Sequence, residues 1–236
     1  KTGASSAYFD KNLLGQTWEQ IKDWVYANDI STSLDKESFI RFTNLILHRC
    51  RNRGAIDHVF LSKYRKEKLS IWDLNWQKDS RHFLNPRFHP RTRFPKLITN
   101  QQSRDNLLDT TKAKTTNWFH AYFYKSFPLA AVTTDFVNEF YEQWTISLVQ
   151  VGILNKETAG DNENYCIVPE AIWIHKNIKT YVCNTCEDKQ YTYDEVEFLE
   201  NGSCLSYRCV GHYNLTQPRV SNYYKEVYNR NRSPRV

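Results

Sequence analysis

Apolar residues recur at helical spacing along much of the chain. Between Asp10 and Asn28, Leu13, Leu14, Trp18, Ile21 and Val25 share one face, with Asp10 placed as N-cap. Between Ser33 and Arg53 the stripe is Phe39, Ile40, Phe42, Leu45, Ile46 and Leu47, and Gly54 follows as a stop. Residues 57–66 form a shorter helical candidate. Lys114 to Phe127 reads as a helix with Trp118 and Tyr122 inward, and Phe119 and Phe123 as further inward candidates. Thr133 or Thr134 caps another helix, running to about Val151 with a stripe of Val137, Phe140, Trp144, Leu148 and Val151. Gly152 ends it.

The pattern then changes period. Ile153-Leu154, a polar tip KETAGDNEN and Tyr165 to Val168 predict a β-hairpin, and Ala171 to Ile178 one more strand. Two helices followed by a hairpin is the order of a winged-helix unit. KLSIWDLNWQ reads as a short strand or irregular loop. NPRFHPRTRFP, at 85–95, carries Pro86, Pro90 and Pro95 and is extended, because proline blocks helix interiors. The expected fold is α+β: a mostly helical, winged-helix-like domain over 1–178, a zinc ribbon over 179–216, and a tail over 217–236. The tail has Pro218 near its start and predicts one short helix, SNYYKEVY.

The zinc ribbon rests on Cys183, Cys186, Cys204 and Cys209, set in YVCNTC and GSCLSYRC around a loop of 17 residues, 187 to 203. Two close pairs of thiolates can converge on one tetrahedral Zn2+, and four protein ligands leave no open position for substrate. The second pair is C-x4-C, a wider knuckle than C-x2-C, so His212 is a rival to Cys209 as fourth ligand. Disulfides are the competing reading, disfavoured in a reducing compartment. Cys50 and Cys166 are expected as buried free thiols.

Composition adds a partner class. The chain of 236 residues is 40% hydrophobic and 25% charged, a folded profile. No apolar run is long enough for a membrane helix, and KTGASSAYFDKN lacks a signal pattern. From Ser80 to Arg104 no acid occurs, and Arg81, Arg87, Arg91, Arg93, Lys96 and Arg104 together match the net charge of +6. Phe83, Phe88 and Phe94 are interleaved with them. Guanidinium groups beside aromatic faces suit a phosphate backbone and unstacked bases, so Arg81, Arg87, Arg91, Arg93 and Lys96 are candidate DNA contacts. An interdomain strap with its arginines paired to acids is the alternative. The helix from Thr134 is a poor recognition helix, because Asp135, Asn138, Glu139, Glu142 and Gln143 fall on its outer face.

No phosphate-binding loop, dinucleotide fingerprint, H-E-x-x-H or G-x-S-x-G is present, and the histidines pair with no carboxylate pattern. The chain itself is therefore expected to be noncatalytic. It starts at Lys1, contains no Met and ends in the charged run VYNRNRSPRV, which points to a piece of a longer protein or to methionine positions lost from the sequence.

The segment CLSYRCVGHYNL, preceded by YVCNTC and followed by SNYYKEVYNRNRSPRV, resembles the zinc-ribbon region of very large superfamily 2 helicases of bacterial defence islands, the Druantia-type and Dpd-type relatives. Cys183, Cys186, Cys204, Tyr207, Cys209, Gly211 and Tyr223-Tyr224 match that pattern, most specifically over about 50 residues, and NPRFHPRTRFP and VPEAIWIH are similar to family segments. The position of His212 is not a ligand there. The resemblance implies a bacterial, cytoplasmic, ATP-dependent DNA helicase or translocase acting against phage. It implies DNA, other helicase domains and defence-system subunits as partners, with no membrane, and ATP and Mg2+ bound only in a core outside this chain. This chain would be an accessory module supporting DNA binding. A protein-interaction module that docks helicase domains or defence subunits is the alternative, and a nuclease would need a carboxylate or His cluster that the sequence does not display.

Overall fold

A computed structural model of the chain describes residues 6–28, 30, 34–52, 55–58, 98–99, 118–127, 132–159, 162–176, 178–193, 199–206 and 209–216. In chain order these form β1 (Ser6–Phe9), α1 (Lys11–Ala27), α2 (Lys36–Asn52), β2 (Ile98–Thr99), α3 (Trp118–Ser126), α4 (Thr134–Gln150), β3 (Leu154–Ala159) and β4 (Asn162–Ile167). A 3-10 turn at Pro169–Ala171, β5 (Ile172–His175), β6 (Lys179–Cys183), β7 (Lys189–Thr192) and β8 (Tyr213–Thr216) follow. The fold is mixed α+β, with helices and small antiparallel sheets.

The helices begin where a side chain can satisfy an orphan amide. Asp10 accepts from Asn12 N–H at 2.7 Å, Asp35 from Ser38 N–H at 2.8 Å and Thr133 from Phe136 N–H at 3.2 Å. The sequence pattern placed the start of α2 at Ser33; Asp35 is the residue whose carboxylate reaches into the first turn. The end of α4 is a Schellman closure: Gly152 N–H reaches Val149 O at 3.0 Å and Ile153 N–H reaches Leu148 O at 2.9 Å. Gly152 takes φ +83°, a conformation that a side chain would strain.

Phe42 of α2 is the hub of the helical core. The rings of Phe119, Tyr122, Phe123, Phe127 and Phe140 lie 5.0–6.0 Å from it, from α3, α4 and the residue just after α3. Trp144 is fully buried and its indole N–H donates to Thr43 Oγ1 at 3.1 Å, tying α4 to α2. Trp24 of α1 packs on Phe136 and Phe140 of α4 at 5.3 and 6.0 Å. The aromatic residues of the described helices therefore serve chiefly as core.

Three readings need correction. Asn138 is buried on the inner side of α4, bonded to His120 of α3 at 2.8 Å, so the outer acidic face reduces to Asp135, Glu139 and Glu142 with the half-buried Gln143. Helix α4 packs against both α1 and α3, which buries more of its circumference than one stripe. The candidate helix at 57–66 does not begin as one: Asp57 N–H bonds Ile167 O at 2.7 Å, and Ile56 bridges Ile167 in parallel. Its residues 59–66 lie outside the described residues. The predicted long polar tip is mostly strand, since the β3–β4 ladder runs from Leu154↔Ile167 to Ala159↔Asn162.

Strand β2 pairs with the other edge of β4, giving a sheet in the order β2-β4-β3. Strand β5 pairs with β1, an N-terminal strand that the hydrophobic pattern did not announce. The remaining sheet has the order β7-β6-β8 and carries the cysteines at one end. Cys50 and Cys166 are buried in the helical and hairpin regions. No helix among the described residues is long and apolar enough to cross a membrane.

Candidate metal centre

Two turns bring the cysteines together. Cys183 closes β6, and the chain reverses through Asn184–Cys186 into β7, with Cys183 N–H bonded to Asp188 O at 2.9 Å. The second turn is clasped by the antiparallel bridge Ser203↔His212 and by Cys204 N–H to Gly211 O at 2.9 Å. Strand β8 then pairs with β6, placing Tyr213 opposite Cys183. Asn184 N–H to His212 O at 3.0 Å stitches one turn to the other.

The sulfur atoms of Cys183, Cys186, Cys204 and Cys209 all lie within 4.8 Å of one another and could hold a metal ion. Cys183 and Cys209 are 3.6 Å apart, and Cys186 and Cys204 are 3.5 Å apart. Four thiolates at about 2.3 Å from one tetrahedral ion would stand about 3.8 Å apart, so the group needs only small adjustments. None of the four is in a disulfide. Each sulfur also meets a backbone amide two residues on: Thr185 N–H to Cys183 and Ser206 N–H to Cys204 at 3.4 Å, Gly211 N–H to Cys209 at 3.3 Å, and the Asp188 amide to Cys186. Amides aimed at sulfur stabilise thiolate, the form that binds metal.

Gly211 is required by space. A Cβ there would lie 2.5 Å from Thr185 Oγ1 and 2.6 Å from both Asn184 Oδ1 and Cys183 Sγ. The two turns approach too closely for any side chain between them, and the sulfurs meet because of it.

The thiols do not share one environment. Burial pushes the Cys204 thiol up to about 12. At Cys186 desolvation is the largest single influence and raises the pKa, but hydrogen bonds with Asp188 N–H, Cys204, Cys209 and Ser206 together outweigh it and lower the thiol to about 7. Tyr181, Leu199, Leu205 and Tyr213 are buried in one apolar cluster with Cys183, Cys204 and the helical core. The Tyr213 hydroxyl accepts from Leu205 N–H at 3.1 Å.

The helical region grips the second turn by its carbonyl groups, a contact no local motif announced. Tyr122 O–H donates to Ser203 O at 3.3 Å, and Trp118 Nε1–H and Arg49 donate to Leu205 O at 3.0 and 3.3 Å. The Lys125 ammonium donates to Cys204 O, to Ser206 O at 3.0 Å and to Cys209 O at 3.1 Å. Ser203 Oγ returns a bond to Lys125 O at 3.2 Å. Arg49 lies 4.2 Å over the Trp118 ring, which stacks on Tyr122 at 4.9 Å. Burial lowers the pKa of Lys125, against the cysteines 204, 209 and 183, which favour its charge. Higher in the seam, His48 of α2 bonds Thr192 Oγ1 of β7 at 3.2 Å, and burial holds its pKa well below the ordinary histidine range.

The rival ligand His212 is exposed and lies outside the sulfur group. The candidate DNA contacts Arg81, Arg87, Arg91, Arg93 and Lys96 lie outside the described residues, as do Tyr207 and Tyr223-Tyr224. No protein-family model, curated protein or solved structure matches the chain.

Proposed function

We propose that the chain is a noncatalytic DNA-engaging accessory module, built from a winged-helix-like unit and a structural zinc ribbon. The observation that carries the reading is the order of the described elements: α2, β2, α3, α4, β3, β4, with the sheet in the order β2-β4-β3. A strand between helices that pairs with the last strand of the hairpin is the arrangement of winged-helix units, many of which bind DNA. Beside it, the sheet β7-β6-β8 with a cysteine-bearing turn at each of two connections fits a zinc ribbon, with Cys183, Cys186, Cys204 and Cys209 closing the coordination sphere around Zn2+. A closed site of this kind supports structure and does no chemistry.

The outer face of α4 presents Asp135, Glu139 and Glu142, so DNA contact falls to the acid-free stretch with Arg81, Arg87, Arg91, Arg93 and Lys96. In line with the resemblance of the cysteine segment, the parent protein is a bacterial ATP-dependent helicase or translocase of phage defence, working in the cytoplasm. Fluorescence anisotropy with single-stranded and forked DNA tests the reading. Binding should weaken steeply with salt and fall about tenfold or more when Arg87, Arg91 and Arg93 are changed together to Ala. Binding that ignores both salt and the triple substitution would sink it.

One observation favours a second reading. Trp173 and Ile174 of β5 are 51% and 75% exposed, and Val210 beside the cysteine turn is 79% exposed. Such residues suit a protein-interaction module that docks helicase domains or defence subunits, without direct DNA contact. In that case Trp173→Ala would leave DNA binding untouched and abolish capture of the partner domain.

A further inference from the structure

Four thiolates around one divalent ion carry a net charge of about −2, and a centre half-shielded from water needs that charge offset nearby. Among the described residues that meet the second turn, Lys125 is placed to do so. It belongs to α3, far from the cysteines in sequence, yet its ammonium touches backbone oxygens of two of the four cysteines, Cys204 and Cys209, and of Ser206 between them. Arg49, another cation in this seam, bonds Leu205 O and lies over the Trp118 face, and Arg41 pairs with Glu37. The C-x4-C half of the site is wider than the C-x2-C half, and its carbonyls at 203–206 all turn toward the helical region. The same contact does two things: it places positive charge beside the sulfurs, and it fastens the turn that carries half of them.

We propose that Lys125 is the charge partner of the tetrathiolate centre, a positioning residue of the helical region that raises the affinity of the four cysteines for a divalent cation. This rests on the reading of those cysteines as a metal site. Metal binding and attachment of the cysteine sheet to α3 are then linked: the ion displaces the thiol protons, so four neutral thiols become a tetrathiolate centre of net charge about −2, which tightens the ammonium's grip, and the grip in turn favours the ion. Outer partners of this kind are worth about 10- to 100-fold in metal affinity.

The test uses the full chain with cobalt(II) as a spectroscopic probe and zinc measured by chelator competition. Lys125→Met should weaken both metals by about 10- to 100-fold. Lys125→Gln keeps a donor without the charge and should weaken them comparably, which serves where the Met variant fails to fold. Lys125→Arg should restore affinity to within about threefold of the parent, since the charge returns. Trp118→Phe removes a neutral contact to the same turn and should leave affinity nearly unchanged. Parent-like affinity in both neutral variants, an Arg variant as weak as Met, or a Trp118→Phe loss as large as that of Lys125→Met would each overturn the proposal. A parent chain that gives no tetrathiolate cobalt(II) spectrum would instead sink the metal reading itself.

Discussion

The helical region and the cysteine sheet are held together by different physics. Around Phe42 and Trp144, rings from α2, α3 and α4 fill a continuous core, and burying such side chains stabilises a fold without any cofactor. The cysteine sheet and its turns add Tyr181, Leu199, Leu205 and Tyr213 to the edge of that same cluster, and the turns converge on sulfur. Elements this small seldom bury enough apolar surface to order themselves, and metals are the usual remedy. The contrast teaches where each part is vulnerable. The helical region should fail when a ring is removed, and on the proposed metal reading the cysteine sheet should fail when the ion is.

The largest effect should come from the ion. Chelation, or Cys183→Ser, is expected to abolish stoichiometric metal by elemental analysis and to melt the cysteine sheet, because structural zinc contributes about 10 kcal/mol or more in small domains. If metal content and the melting curve stay as in the parent, the four sulfurs are not a metal centre. Second, Phe42→Ala should cost about 3–5 kcal/mol in denaturant unfolding while leaving the cobalt(II) spectrum of the folded fraction intact. A change in that spectrum would mean that the two regions do not separate as described.

The smallest effect is at a helix cap. Asp35→Ala should cost about 1 kcal/mol, since the carboxylate holds an orphan amide at the start of α2. Hydrogen bonds from the Ser38 side chain and amide hold Asp35 below the usual carboxylate range. Its folded pKa is depressed, so its contribution is fully present above the unfolded carboxylate value and is lost as pH falls through the folded one. The difference between parent and variant should therefore shrink on acidification. A difference that grows toward low pH would remove Asp35 from this role.

Much of this was legible because it is local. Apolar stripes with a 3.6-residue period set the inner faces of α1, α2 and α4, and Asp10, Thr133 and Gly152 marked their ends through bonds spanning a few residues. Cysteine spacing likewise foretold two turns able to face one ion, because amides and sulfurs within a turn meet whatever the rest of the chain does. The edges of that legibility are equally physical. Asn138 looks like an outer-face residue until His120 arrives from another helix to satisfy it. The pairing of β1 with β5 joins residues more than 160 positions apart, and nothing in SAYF announces its partner.

By itself, then, the sequence determined the periodic inner faces of α1, α2 and α4 and the two close cysteine pairs, since those follow from periodicity and short-range spacing. Only the tertiary structure decided that Cys209 rather than His212 joins the sulfur group, that Gly211 must be bare, and that Lys125 reaches the second turn. The last depends on surfaces that meet across 80 or so residues of chain, the first two on turns that meet across about 26, and packing rather than pattern selects them.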